Sequence, residues 1–465
     1  MLLFKNDSKF YKKVFVLAFP IAMQSLISIG VNMLDTIMVG KLGENALSAT
    51  SLANSFITIY HILCMGLGMG ASVLVSRYWG MKKAASEKRE NGEQAAHALK
   101  QTVSLMLRLA FLLALIFALF TLFIPEKIMG TYTDDGKIIS LGSIYFKYSV
   151  ITYLFLGLSL VSTIVLRSVG QVKLPLLVSI GAFFVNLLAN YAFIFGKFGM
   201  PRMEVAGAAI GTLIARIFEA GIILSFLFFK DKRINFRLQN IFMKTSSLLS
   251  EYVKISIPVL ISDAILAFGN NSVAMVIGHL GATFVAANAI TSVTQQLSSV
   301  LVQGVSQAGA IVTGQTLGTG DKEKTMEQGW LFLGIGFALG LLSAIFIMAI
   351  SSPIISSYEV SADTVKIAEQ LMAAISLIMI FQATNSIMTK GVLRGGGDTK
   401  ILMVADNAFL WIISIPLGLL AGFVLHLPAF WIYICLKSDQ IIKTFWCVFR
   451  LKSRKWIKKI STGKQ

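Results

Sequence analysis

Long apolar runs separated by short polar connections make up most of this chain. Residues 14–34 and 46–76 contain no Asp, Glu, Lys or Arg, and neither do residues 264–320. Because about 20 apolar residues cross a bilayer as a helix, the first two runs each predict one transmembrane helix, and the third predicts two, separated by the turn GHLG. The other predicted spans cover residues 109–125, a segment ending at 166, and residues 174–196, 205–229, 328–358, 370–389, 401–424 and 428–449. The pattern predicts an all-α polytopic membrane protein with twelve transmembrane helices.

The first half of this pattern is repeated in the second half. The segment PIAMQSLISIGVNMLDTIMVGKLG at residues 20–43 aligns with PVLISDAILAFGNNSVAMVIGHLG at residues 258–281, so that Pro20 matches Pro258 and Asn32 matches Asn270. In the same way, VLRSVGQVK at 165–173 is matched by VLRGGGDTK at 392–400. Internal duplication of an apolar chain is typical of transporters whose site lies between two repeats. We therefore expect two pseudo-symmetric six-helix lobes.

The repeat and the charged connections together predict the domain boundaries. Residues 1–229 are expected to form the N-terminal lobe, 230–254 a cytoplasmic or interfacial linker, 255–449 the C-terminal lobe, and 450–465 a basic cytoplasmic tail. Within the linker, residues 241–253 could lie flat on the membrane as an amphipathic helix.

Positive charges are concentrated in alternate connections. The chain is 55% hydrophobic and 14% charged, with a net charge of +18, which could suit a nucleic acid. Most Lys and Arg, however, lie at the two ends and in the connections 77–100, 167–173, 230–254, 321–327 and 394–400, whereas the opposite connections hold Lys41, Lys127, Lys137, Lys197, Arg202 and Lys366. The positive-inside rule then places both termini in the cytoplasm. We expect a multi-pass protein of the cell membrane that contacts membrane lipid, binds no nucleic acid and is a monomer.

Motifs of catalysis are absent from the sequence. The three cysteines, Cys64, Cys435 and Cys447, lie in apolar segments without a CxxC pattern and are expected to be core residues. The four histidines are scattered, and the chain has no nucleophile elbow, HxxxxD motif or P-loop. A membrane enzyme such as an acyltransferase is therefore disfavoured. A receptor or channel is disfavoured by the twofold repeat and the lack of a filter-like loop. We expect neither catalytic residues nor a cofactor.

Polar side chains inside the spans are the candidates for function, because burying them in a membrane is costly. In the first helix Gln24, Asn32 and Asp35 share one narrow stripe. Asp35 is either a proton or cation site or a carboxylate that touches water at the helix end. In the fifth helix Asn186 and Asn190 are four residues apart and share a face; they bind an ion or hydrogen-bond between helices.

The second half supplies a different set of polar groups. Asp263 and Asn270 share a face of the seventh helix, and Asn271 adjoins it. Further candidates for a substrate cavity are Gln382, Asn385, Lys437 and Asp439, while Lys390 and Asp406 are expected to snorkel or to pair with each other near the cytoplasmic ends. In the sixth helix, Arg216 and Glu219 have the spacing of an ion pair.

These motifs resemble a known family. The run P-x(11)-N-x-x-D-T-x-M-V-G-x-L-G at residues 20–43 is similar to the first helix of the multidrug and toxic compound extrusion (MATE) transporters. VLRSVGQVK and VLRGGGDTK resemble the family's signature after its fourth and tenth helices, and VNLLANYAFIFG at 185–196 resembles its fifth-helix pattern. The similarity extends over essentially the whole chain.

The resemblance implies a function and assigns roles to residues. It implies twelve helices in two lobes around a cavity, and export of cationic, lipophilic compounds in exchange for protons or sodium ions. Asp35 matches the first-helix carboxylate proposed to bind the coupling ion, and no metal is expected beyond a Na⁺ at Asp35; the other candidates for the coupling-ion site are Asn32, Asn186, Asn190 and Asp263. Asn186 matches the fifth-helix Asn, Asn190 stands where some members have Asp, and Asp263 resembles the seventh-helix acid of some bacterial members. The alternative is a lipid-linked precursor flippase of related architecture, which would need several cations to meet a pyrophosphate.

Overall fold

A computed structural model describes residues 7–90, 92–358 and 360–458. Three of the basic residues assigned to the termini, Lys5, Lys459 and Lys464, lie outside these ranges. The described residues form helices and connections and contain no strand, which confirms the all-helical prediction.

Among the residues that the structure describes, the first half of the chain forms eight α-helices. They are α1 (Ser8–Gly40), α2 (Glu44–Glu87), α3 (Glu93–Phe123), α4 (Pro125–Gly130), α5 (Gly136–Ser149), α6 (Thr152–Ser168), α7 (Lys173–Phe195) and α8 (Glu204–Ser225). A π-helical turn, Phe226–Lys230, extends α8, and a short 3₁₀ turn, Leu238–Phe242, follows it.

The second half is more often interrupted. It contains α9 (Ser246–His279), α10 (Ala282–Gly318), α11 (Lys322–Ser356), α12 (Ala362–Ser386), α13 (Thr399–Ala408), α14 (Ile415–Leu419), α15 (Ala429–Leu436) and α16 (Ser438–Lys452). π-Helical segments, Ile387–Leu393, Phe409–Ser414 and Leu420–Val424, join or extend α12, α13 and α14.

Ten of the twelve predicted spans correspond to described helices that are long and apolar enough to cross a membrane, if one bent helix pair is counted as a single span. Within the described ranges, nine helices are long and apolar enough to span a membrane, and the pair α5–α6, bent by 59°, would make ten. The remaining two predicted spans correspond to α10, which carries many Gln, Ser and Thr side chains, and to α15–α16, which is broken at Lys437.

The chain folds into two compact units. The C-terminal unit contains the described residues of Ile257–Ser461, Met1–Ala22 and Lys83–Glu90, and the N-terminal unit contains Met23–Lys82 and the described residues of Asn91–Ser256. A boundary between the two units therefore falls within α1, close to Pro20, and another falls within α9, close to Pro258. A proline inside a helix removes a backbone hydrogen bond and favours a kink, which accounts for the change at these matching places.

Two sequence-based interpretations are wrong in detail. Residues 241–253 do not form a separate amphipathic helix: they comprise the end of the 3₁₀ turn, a short loop and the first turns of α9. This loop is attached to α3, because Arg108 donates to the carbonyls of Ile241 and Met243 at 2.5 and 2.8 Å. Likewise, Arg77 does not begin a connection, since it is buried within α2, which continues to Glu87.

Candidate functional site

Asp35 lies beside the two asparagines of α7 in the N-terminal unit. The amide nitrogen of Asn190 donates to Asp35 Oδ1 at 2.6 Å and to Asn186 Oδ1 at 3.2 Å. Asn186 and Asn190 are buried and share one face of α7 because they are one turn apart. The carboxylate and the two amides, which are separate candidates for ion binding in the sequence, therefore form one cluster.

Gly211 lets α8 approach this cluster closely. A Cβ atom at Gly211 would overlap the side-chain oxygen of Asn190 and would come within 2.9 Å of its backbone nitrogen. That oxygen is buried and accepts no hydrogen bond from the described part of the chain. A buried acceptor without a donor is unfavourable unless something positive approaches it, so the cluster has one oxygen available to a cation.

The residues of the predicted polar stripe of α1 lie in different environments. Gln24 is buried and accepts a hydrogen bond from Arg167 at the end of α6. Asn32 is exposed, and its carbonyl accepts from Thr36 at 2.8 Å. Asp35, the third predicted residue, accepts a hydrogen bond from α7.

Other helices of the same unit carry further polar contacts. Tyr145 of α5 donates to Asn54 Oδ1 of α2 at 3.3 Å. In α8, Arg216 pairs with Glu219 at 2.7 Å, as their spacing predicts. The sequence pattern does not single out Tyr145, because a tyrosine in an apolar run is most often a packing residue.

In the C-terminal unit, Asp263 is held in an ion pair. Arg394 approaches its two carboxylate oxygens at 3.0 and 3.5 Å. The Arg394 side chain is only 5% exposed, so this carboxylate is the main compensation for a buried charge. In the sequence, Arg394 marks a basic turn, and its match with Arg167 in the repeat is the signal that it has a structural partner.

Asp439 belongs to a buried cluster that joins the two last spans. Lys443 lies 2.9 Å from Asp439 and 3.5 Å from Asp406, and Ser414 hydrogen-bonds to Asp439. Asp406 therefore pairs with Lys443, and the expected pairing with Lys390 is wrong. Lys390 is exposed.

The remaining candidates of the C-terminal unit are distributed over three places. Lys437 lies 3.5 Å from the Asn270 oxygen, and Asn271 is exposed. Asn385 donates to Gln440 at 2.7 Å, and Gln440 donates to Asp439. Gln382, the last candidate, accepts a hydrogen bond from Gln295, which itself accepts one from Tyr433. All three of these side chains are neutral.

The described residues contain no group of three or more His, Cys, Asp or Glu that could hold a metal ion. The chemistry that Asp35, Asn186 and Asn190 can perform is reversible binding of a proton or a monovalent cation, because they combine one carboxylate with neutral amides.

Comparison with known proteins gives a consistent result. The sequence model of the MatE family matches residues 20–192 and 258–420. The chain is 25% identical to a probable multidrug resistance protein NorM of Thermotoga maritima, over 96% of this chain and 93% of that protein. It is 26% identical to the multidrug resistance protein NorM of Burkholderia vietnamiensis, over 86% and 85% respectively.

Solved structures show the same fold. The Vibrio cholerae MATE transporter VcmN in its bent form superposes with a TM-score of 0.84, covering 96% of this chain and 97% of that one at 17% identity. At this identity the likeness concerns the fold alone, and it confirms the two-lobe, all-helical architecture.

Proposed function

This chain belongs to the MatE family of multi-span membrane transporters, and from that premise we propose that it is a secondary antiporter. It exports cationic, lipophilic organic compounds and takes up protons or sodium ions in exchange. Two of its relatives carry the name multidrug resistance protein, which supports this class of cargo. It acts in the cell membrane as a monomer, with both termini in the cytoplasm, where the positive-inside rule places them.

The observation that supports ion coupling most directly is the position of Asp35. Its carboxylate is half-buried in an apolar helix and accepts a 2.6 Å hydrogen bond from a neutral amide, Asn190. A carboxylate in a membrane is costly when charged and gains from binding a proton or cation, so its occupancy follows the ion gradient. Binding of the ion at Asp35 from outside resets the carrier after the cargo has left.

Asp263 is a weaker candidate for the coupling ion. Its charge is already balanced by Arg394 at 3.0 Å, and a proton or cation would have to compete with that guanidinium. We therefore assign ion binding to Asp35 and a structural role to Asp263.

The pairing of the intramembrane bases favours an exporter of cations over a lipid-linked precursor flippase. A pyrophosphate headgroup requires cations that are available to it. Arg216 pairs with Glu219, and Lys443 pairs with Asp406 and Asp439. Lys437, a further base within the spans, lies 3.5 Å from the Asn270 oxygen and two residues before Asp439 in the sequence.

Dye uptake into everted membrane vesicles tests the proposal. A fluorescent organic cation should accumulate when the vesicle lumen is made acidic or rich in sodium, imposed separately, and the effective gradient identifies the ion. Asp35→Asn should abolish accumulation at an unchanged protein level in the membrane, whereas Asp35→Glu, which keeps the acid, should retain part of it. Full transport by Asp35→Asn, or uptake that ignores both gradients, contradicts the proposal.

A further inference from the structure

One face of α10 is polar although the helix carries no charge. Residues 285–305 of α10 contain no Asp, Glu, Lys or Arg. Ser292, Gln296, Ser299 and Gln303 follow one another at spacings of four, three and four residues. At about 100° per residue they lie within a stripe about 60° wide, which we call the amide stripe.

The two glutamines of the amide stripe are exposed, and its two serines are half-buried. Gln303 donates to the Ser299 hydroxyl at 3.2 Å, and that hydroxyl donates to the backbone carbonyl of Gln296 at 2.8 Å. Within the described ranges, the side-chain amide of Gln296 and the side-chain oxygen of Gln303 contact no hydrogen-bond partner. These groups are therefore available to a molecule outside the chain.

Lipid is an unfavourable neighbour for the amide stripe. Gln296 lies about 20 Å along α10 from Ala282, close to the middle of a bilayer core about 30 Å thick. Hydrocarbon offers no hydrogen bonds, so an unpaired amide that faces lipid at this depth is destabilising. The exposed aliphatic side chains of the same part of α10, Val293, Leu297 and Leu301, lie outside the stripe. The stripe is therefore the face suited to water and to molecules that carry polar groups.

The matching helix of the N-terminal unit has a similar surface. In the repeat, Asn54 and Thr58 of α2 correspond to Ser292 and Gln296 of α10, and both α2 residues are exposed. Packing inside either unit does not require an exposed polar side chain in a span. A polar face at matching positions of both repeats is instead consistent with transport, because cargo sites of transporters built from repeats lie near the middle of the membrane.

We propose that the amide stripe of α10 binds cargo, and that it recognises the N–H and C=O groups of an organic cation by hydrogen bonds instead of recognising its charge. This inference rests on the proposed function, because it states how the exported compounds are bound. A glutamine amide both donates and accepts hydrogen bonds, so the stripe fits polar groups of either kind on different compounds. Since the stripe is neutral, it attracts neither a proton nor Na⁺ away from Asp35.

Two cations of different chemistry test this role. Ethidium carries two amino groups that donate hydrogen bonds, whereas tetraphenylphosphonium has no hydrogen-bonding group. In everted vesicles, the double variant Gln296→Met/Gln303→Met should raise the KM for ethidium at least about fivefold, the effect of one hydrogen bond of typical net strength. The KM for radiolabelled tetraphenylphosphonium should stay at its wild-type value. The lumenal ion concentration for half-maximal uptake should not change for either cation.

Matched variants separate this role from a structural one. Methionine has about the length of glutamine and a similar helix propensity, and it removes an exposed amide from a span, so the double variant should reach the membrane at the wild-type level. Leu301→Met introduces the same residue at an exposed position of α10 outside the stripe and should leave both KM values unchanged.

Failure of this inference can be told apart from failure of the proposed function. If Asp35→Asn abolishes uptake of both cations while the double variant keeps the wild-type KM for ethidium, or raises both KM values equally, cargo binding by the amide stripe is refuted and the antiport proposal stands. If Asp35→Asn retains gradient-driven uptake, the antiport proposal fails. Ethidium fluorescence with detergent-purified protein then decides: the double variant should have a Kd at least about fivefold above that of the wild type, and equal Kd values refute the amide stripe.

Discussion

Gly211 is the residue on which the contact between α8 and the Asp35 cluster depends most directly. Any side chain there would collide with the oxygen and the backbone of Asn190. Because α7 and α8 pack against each other here, a side chain at position 211 would push Asn190 away from Asp35. Glycine is therefore required at position 211 because it leaves Asn190 in place to donate to Asp35.

Gly211→Ala should impair transport without preventing folding. Inserting a methyl group into a packed contact costs about 1–3 kcal/mol, and here the strain displaces the amide that donates to Asp35. We expect dye uptake into everted vesicles to fall at least roughly tenfold.

Gly221→Ala is the matched control on the same helix, because a Cβ atom there meets nothing within 4 Å. It should transport like the wild type and could be slightly more stable, since Ala favours a helix over Gly. Equal uptake by the two variants would show that the approach of α8 to Asn190 does not position Asp35.

At the scale of elements, the turn within each repeated motif is held by the end of the last helix of its half or by the segment that follows this helix. In the C-terminal unit, Arg450 donates to the two carboxylate oxygens of buried Asp398 at 2.6 and 2.9 Å, and the Lys458 ammonium lies 3.4 Å from the same carboxylate. Trp456 is buried against Gly396. The described part of the basic tail is therefore docked on its own unit.

The N-terminal unit uses the same arrangement with different charges. Gln171, which matches Asp398 in the repeat, donates to buried Asp231 at 3.0 Å, and Arg233 donates to the carbonyl of Val169 at 2.6 Å. In the C-terminal unit the acid, Asp398, belongs to the turn, whereas in the N-terminal unit the acid, Asp231, belongs to the segment after α8. The architecture of the contact is thus repeated although its residues are not.

Arg450→Gln should destabilise the C-terminal unit. It leaves the fully buried carboxylate of Asp398 with only the more distant Lys458, and breaking a buried pair costs about 3 kcal/mol. The melting temperature of the detergent-purified protein should fall clearly.

Arg454→Gln tests whether burial is the cause. Its ion pair with Glu323 has similar geometry, at 2.6 Å, but both side chains are mostly exposed, so the expected loss is below about 1 kcal/mol. Comparable melting temperatures for the two variants would contradict a buried clasp at Asp398.

On the scale of the whole molecule, two arginines that correspond in the sequence repeat contact two helices that also correspond, α1 and α9. Arg167 meets neutral Gln24 in the N-terminal unit, and Arg394 meets Asp263 in the C-terminal unit. The same fold therefore carries an ion pair in one half and a neutral partner in the other. This difference supports the proposed division of roles, in which Asp263 stabilises its unit and Asp35 exchanges the ion.

Asp263→Asn and Asp35→Asn should consequently fail in different ways. Asp263→Asn leaves a buried guanidinium without its carboxylate, with an expected loss of about 3 kcal/mol and a lower melting temperature. Asp35→Asn should melt like the wild type and lose transport. Unchanged melting of Asp263→Asn would place Asp263 with the ion-exchanging groups instead.

The sequence by itself determined the helices, the repeat and the family, because apolar length and a duplicated pattern are properties of the chain alone. It also determined the local pairs Asn186–Asn190 and Arg216–Glu219, since residues one turn apart on a helix share a face whatever surrounds them. It did not determine which helix supplies a partner. The pairing of Asp263 with Arg394, of Asp406 with Lys443 and of Asp398 with the tail joins residues far apart in the chain. Only tertiary packing decides such contacts, because helical periodicity defines the face on which a residue lies and carries no information about the helix opposite.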